Sequence, residues 1–530
     1  MSPTPPATPA QPQKPAAGQS KPFSILEYDV EGNTLLPVMD VERAVMDFLG
    51  ENKTIKDIEA ARVRLEKTYH DRGYKTVLVN IPPQQVNGGV VRLRVTEAPV
   101  GKLRVLGSRY HSPHVIRATM AQLNQGSVPD FGEVQKELGE ANRSPDLHVT
   151  PILKASDTPG KVDVDLEVKD QLPLHFILEA NDRYSANTTH TRVSGEIRYD
   201  NLFQANQSLS LQYQTAPSRI SDAKIGSFSY VIPTASGPVI ALYAVHSDSN
   251  VAAIGAVDVI GKGDIYGIRL IEPLPTSSPS TFYHSFTAGV DYKDFKQTVV
   301  LQGATSSVES PVSYPPFTLE YSGTLLGAAP KDGKGYAATS GSRTNTSIDL
   351  SLNFIIQGLG TDWKQFASRR ANAGTSYLIL RPSLTHEQVL PAAWSLVARI
   401  DGQLASGPLI NNEQYSAGGV DSVRGYTEAE RLGDNGIHGS LELRTPQLLA
   451  RPFPRVEQSY LSLFTDAAKV TVLQALPGQD AGFTLASAGV GLRFKAFGLA
   501  VALDGARTLK DGYVTPGSRY RGDFRITYAY

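Results

Sequence analysis

Enzyme chemistry needs reactive groups placed together, and this chain of 530 residues offers few of them. It has no cysteine, which excludes thiol nucleophiles, thiolate metal sites and a disulfide framework. His386-Glu387 is not followed by a second histidine four residues on, no Gly-x-Ser-x-Gly occurs, and the ten histidines are scattered. Neither a zinc hydrolase nor a serine hydrolase is expected from that pattern. Gly327-Ala-Ala-Pro-Lys-Asp-Gly333-Lys334-Gly335 has the wrong glycine spacing for a phosphate loop, with Gly335 where Ser or Thr would meet the metal. The remaining candidate is a charge pair. In Gly418-Gly419-Val420-Asp421-Ser422-Val423-Arg424-Gly425-Tyr426, one arginine sits at the tip of a tightly turning, glycine-rich stretch. In Tyr460-Leu-Ser-Leu-Phe-Thr-Asp-Ala467, Leu461 and Leu463 share one strand face, and Tyr460, Ser462, Phe464 and Asp466 share the other. If the leucines face lipid, Asp466 faces the interior of a barrel, where a planar guanidinium is its best partner. Taken alone, Arg424 reads as an exposed loop arginine. With the strand context, the pair reads as a structural contact, with no catalytic residue, no metal and no cofactor.

The elements around the pair come in two textures. Residues 1–22 carry Pro3, Pro5, Pro6, Pro9, Pro12, Pro15 and Pro22 among Ala, Thr, Gln and Ser, and read as a disordered tether without a helical apolar face. From 23 to 172 the order strand, helix, helix, strand, strand occurs twice, with boundaries at 23–98 and 99–172. Thr54-Ile-Lys-Asp57 is a capping box, followed by an apolar helix face at Ile58, Ala61, Leu65 and Tyr69. Residues 173–530 read as strands without helices: Val193, Gly195, Ile197 and Tyr199 alternate with Arg192, Ser194, Glu196 and Arg198. The last strand alternates Phe524, Ile526, Tyr528 and Tyr530 with polar neighbours. Charged polar faces suit a wet lumen, and 358 residues (530 − 172) fit 16 spanning strands of about 9–11 residues with their connections. The polar stretch 302–345 reads as extracellular loop. With 51 Lys and Arg against 52 Asp and Glu, nothing points to nucleic acid. No apolar run is long enough for a membrane helix, and no signal peptide is visible, so the numbering is expected to start after cleavage.

Val423-Arg424-Gly425-Tyr426 followed by Phe464-x-Asp466 resembles the signature pair of outer-membrane barrels that carry periplasmic POTRA domains. The phrases Val30-Glu-Gly-Asn-Thr, Arg72-Gly-Tyr-Lys-Thr and Val91-Arg-Leu-Arg-Val-Thr-Glu resemble POTRA sequences. Asn142-Arg-Ser-Pro-Asp146 and Thr158-Pro-Gly-Lys161 resemble the second POTRA of two-partner-secretion transporters, and Ser229-Tyr-Val-Ile-Pro233 their first barrel hairpins. The sequence departs from the pair at Ala468, where the superfamily usually has Gly. The resemblance implies two α+β POTRA domains followed by a transmembrane antiparallel β-barrel, with an inward-folded loop around 418–436 that Arg424 anchors to Asp466. It implies outer-membrane export of a large secreted partner, adhesin-like or haemolysin-like, captured unfolded in the periplasm by the POTRA domains. It also implies a monomer in contact with lipid, without nucleotide. The alternative is an insertase that assembles other barrels.

Overall fold

A computed structural model describes residues 22–530 except 87, 235–236, 250, 255–256, 277–280, 297, 301–306, 328–343, 450–452 and 454. The tether reading of 1–21 and the Gly327–Gly335 stretch from residue 328 on lie outside the described residues. The chain divides into two compact units, 1–172 and 173–530.

The first unit holds two small three-stranded sheets, each with helices. In one, Val90–Glu97 lies between Glu27–Glu31, parallel to it, and Val77–Asn80, antiparallel. The helix Ile55–Asp71 starts where the capping box predicts: the Thr54 amide donates to Asp57 Oδ2 at 2.7 Å, and the two side chains meet at 2.8 Å. The Thr54 hydroxyl, and then its amide, hold the Asp57 carboxyl below the usual carboxylate range. Ile58, Ala61, Leu65 and Tyr69 are buried against Val77, Val91, Leu93 and Val95, each contributing on the order of 1.5–3 kcal/mol for a large apolar side chain. The first strand of the expected order is split in two, Phe23–Ile25 and Glu27–Glu31. The chain breaks at Leu26, and Phe23–Ile25 pairs with Gly50–Lys53.

The other sheet has Val162–Asp170 between Val100–Leu106 and Leu147–Ala155. The helices Pro113–Thr119 and Phe131–Ala141 belong to it, with Ile116, Val134 and Ala141 in its core. The two sheet–helix bodies touch: the Phe131 amide donates to the Gly73 carbonyl at 3.0 Å, and Val128 packs on the first core. A fragment 23–172 is therefore expected to fold without the barrel and to melt in one cooperative transition, monitored by circular dichroism. A random-coil spectrum would refute the unit.

The second unit is a closed antiparallel barrel. Its seventeen hydrogen-bonded segments form sixteen staves, because Val312–Tyr314 and Phe317–Leu326 both pair with Phe282–Lys296 and make one stave broken at Pro315-Pro316. Closure comes from Tyr520–Ala529 pairing with Leu174–Asn181, which leaves no free edge. Tight hairpins close one end, with Leu202 facing Gln207, Pro233 facing Val239 and Ala496 facing Leu499. We call this the turn end. The opposite, loop end carries the connections 355–377, 406–434, 472–481 and 509–519. Leu178, Ile197, Leu211, Leu404, Leu463 and Val490 are exposed on the outer wall, while Arg269–Asp291, Arg493–Asp504 and Arg521–Asp523 pair on the other face. An apolar exterior around a charged interior is the pattern of a membrane barrel. No helix among the described residues is long and apolar enough to cross a membrane.

Two expectations are corrected here. Helices do not vanish after 173, since Trp363–Arg369 is helical, started by Asp362 accepting from the Lys364 amide at 2.9 Å. It is short and buries only Phe366, so it has too little periodicity to stand out. The stretch 302–345 is not one loop. Phe317–Leu326 is a stave whose alternation is masked by the two prolines before it and by Ser322 and Gly323 within it. Residues 302–306 and 328–343 of that reading lie outside the described residues.

Candidate functional site

The loop 406–434 joins the staves Ser395–Ala405 and Asn435–Arg444. Its stem is a short hairpin, Tyr415–Ala417 against Arg431–Gly433, and Arg424 lies in its tip. The tip meets the inner face of the barrel wall. Arg424 Nε donates to Asp466 Oδ2 at 2.8 Å and Nη2 to Oδ1 at 2.9 Å, a bidentate contact, and the Arg424 amide reaches Oδ2 at 3.2 Å. Nη1 donates to Glu442 Oε2 at 2.9 Å. Ser440, directly across the ladder from Asp466, donates its hydroxyl to Oδ1 at 2.7 Å. The guanidinium stacks on the Phe464 ring, 3.4 Å from its centroid. That ring can lie against the wall because its ladder partner is Gly489, where a Cβ would come within 2.5 Å of the ring.

The acids around Arg424 are shared with other cations. Glu442 also accepts from Arg444 at 2.8 Å, and Asp504, 3.8 Å from Arg424, is paired with Arg493 at 2.9 Å. Arg424, Asp466 and Glu442 are all buried, so neither sign is left uncompensated in a poorly solvated place.

Val423 and Tyr426, on either side of the pair, are fully buried and pack with Ala417, Ala468, Val470 and Leu485. Ala468 puts its methyl into this cluster. The Tyr426 hydroxyl lies 2.7 Å from the Lys510 carbonyl and 2.9 Å from that of Ala486, which fixes the tip to the connection 509–519 and to a further stave. Gly425 has φ +91°, and a Cβ there would come within 2.9 Å of the Ala506 Cβ.

The structure thus brings all of Val423, Arg424, Gly425, Tyr426, Phe464 and Asp466 to one place. It adds residues that the sequence reading did not single out. Glu442 could have been found from its strand, where His438, Ser440, Glu442 and Arg444 alternate with Ile437, Leu441 and Leu443. Glu430 had no such signal. It accepts from the Val514 and Thr515 amides at 2.7 and 2.8 Å and ties the stem to 509–519.

Residues 335–494, which include the tip and its wall partners, match the family described as haemolysin secretion/activation protein ShlB/FhaC/HecB, and residues 23–98 match the POTRA domain, ShlB-type. Over these two regions the chain matches the two-partner-secretion outer-membrane transporters. Among curated relatives, the heme/hemopexin transporter protein HuxB of Haemophilus influenzae is 19% identical over 403 residues, 75% of this chain and 67% of the relative. The outer membrane transporter CdiB of Dickeya dadantii is 23% identical over 181 residues, 34% of this chain and 32% of the relative. Among solved structures, CdiB from Escherichia coli aligns over 98% of this transporter and 93% of its own chain, with TM-score 0.65 and 16% identity, a likeness of fold. The transporter's POTRA match covers one region, the first of the two sheet–helix bodies.

Proposed function

We propose that residues 23–172 capture an unfolded, large secreted partner on the periplasmic side of a Gram-negative outer membrane, and that the partner passes to the cell surface through the barrel. The observation that carries this reading is the loop held inside the barrel wall by Arg424, Asp466 and Glu442, in a chain whose family is secretory. A conducting lumen that is filled at rest needs an anchored but releasable plug, and a tip held by side-chain contacts to the wall meets that need. Val423, Gly425 and Tyr426 seat the tip, and Phe464 with Asp466 receives it. The bound state needs no nucleotide or metal. Folding of the partner outside supplies the direction.

We read 99–172 as a second POTRA domain, because its element order and its parallel-plus-antiparallel sheet repeat those of 23–98. An extended partner can add a strand to an open sheet edge. In the first body Glu27–Glu31 and Val77–Asn80 are the outer strands, and in the second Val100–Leu106 and Leu147–Ala155. Pro151 removes one donor from the last of these, which favours the other edges. The protein works as a monomer surrounded by lipid, with a transport role and no enzymatic one. Exchanging 23–172 for the corresponding part of a relative should redirect which partner is exported, scored by partner found in the medium. If partner choice follows 173–530 instead, capture by strand addition is wrong. Export of no partner, with other barrels accumulating unassembled in its absence, would favour an insertase.

A further inference from the structure

The loop has a second attachment, at its root, which shares no residue with the tip. Asp434, the last residue before the stave Asn435–Arg444, is wholly buried. Its carboxylate receives both terminal nitrogens of Arg370, with Nη2 at 2.8 Å from Oδ2. It also receives the Leu409 amide at 2.9 Å, the Leu473 amide at 2.6 Å and the Gln414 side-chain amide at 3.2 Å. Arg370 in turn donates to the Leu409 and Leu473 carbonyls at 2.7 and 2.8 Å. One ion pair therefore ties both ends of the loop, at 409–414 and at 434, to the loop-end connections 355–377 and 472–481. A carboxylate has about four lone-pair directions, so this one is filled without water. Beside it, Leu409 and Ile410 are buried with Phe366, and Glu413 accepts from Lys293 at 2.6 Å and from the Tyr314 hydroxyl at 2.7 Å.

We infer that Asp434, through Arg370, is a positioning residue for transport: it clamps the root so that the tip contacts need only fix the loop's swing, and it makes the loop-end connections part of the closed state. This rests on the reading of the loop as a plug. With its two ends joined at one point, the loop has far fewer conformations outside the lumen than a loop hung from two separated staves. The cluster at the tip and the cluster at the root then act on one closed-to-open equilibrium from opposite ends of the same segment.

The full-length chain in lipid bilayers tests this, using a single cysteine at Ala417, a fully buried position of the loop stem in a protein that has no other cysteine. Modification by a charged maleimide and ion conductance are both measured, and heat-modifiable migration establishes that each barrel is folded. Asp434→Ala and Arg370→Ala should each raise the modification rate about tenfold, equivalent to ~1.4 kcal/mol in the closed-to-open equilibrium, and raise conductance. The double variant should exceed neither single by much, and Arg370→Lys, which loses the bidentate fork, should recover only part of the closure. If an alanine variant fails to fold, Asp434→Asn and Arg370→Lys carry the same measurement. Folded variants with wild-type modification and conductance would overturn the inference, as would single effects that multiply in the double. Failure of the unaltered chain to export a partner would instead overturn the transport reading and leave the modification result standing.

Discussion

Replacing Arg424 by alanine should unseat the loop tip and abolish most export while leaving the barrel assembled. An exposed ion pair would be worth about 0–1 kcal/mol. This one is buried on both sides, and removing one partner of a buried pair typically costs ~3–5 kcal/mol, because the other is stranded. Here two acids, Asp466 and Glu442, lose their shared cation together. Arg424→Lys should rescue poorly, since an ammonium cannot span both Asp466 oxygens, reach Glu442 and lie flat on Phe464. Arg424→Ala combined with Asp466→Ala should be less damaging than the sum of the two, since both act on one contact. The measurements are export of the partner and reactivity of a cysteine placed at Ser422, in all four backgrounds of the cycle. Additive losses, or unchanged reactivity in Arg424→Ala, would exclude the pair as the anchor.

Gly425→Ala should also release the tip, for a reason that has nothing to do with charge. A left-handed backbone costs a residue with a Cβ ~1–2 kcal/mol. At φ +91° the added methyl would also meet the Ala506 methyl at 2.9 Å, and overpacking of that kind costs ~1–3 kcal/mol. The second part is relievable. Ala506→Gly in the same chain should restore some export and some protection of the Ser422 cysteine, leaving the backbone part in place. If Ala506→Gly restores nothing, close approach to that stave is not what Gly425 provides.

Much of the barrel was legible because a sheet has period two. Leu461 and Leu463 are 48% and 59% exposed while Asp466 between the same staves is 1% exposed, and no tertiary information is needed to assign those faces. The number of staves followed from chain length divided by the residues that one membrane span and its connection need. Residues that meet only through the closed fold were not legible. Arg370 belongs to a connection, Asp434 ends another, and Leu473 contributes only an amide, so nothing in their types or spacing links them. The broken stave was missed because prolines are read as loop, and the helix Trp363–Arg369 because one buried aromatic makes no pattern. The sheet–helix order of 23–172 was visible in the capping box and the apolar helix face behind it, while the break at Leu26 depends on which strand each half finds.

The interrupted stave has a thermal consequence. Below Pro315-Pro316 the wall is laddered on both sides, down from the Phe317–Phe354 pair. Above it, among the described residues, Val312–Tyr314 is laddered on one side only. The gap is closed by side chains: Tyr314 packs edge-on to Phe366 at 5.4 Å, with Ile355 and Tyr377 buried beside them. Apolar packing weakens on cooling, as hydrogen-bonded ladders do not to the same degree. This corner, which also holds Leu409 and Ile410 at the root of the loop, should therefore loosen before the two-sided ladders on cooling. The root of the loop should then loosen toward low temperature, while the staves around it stay intact.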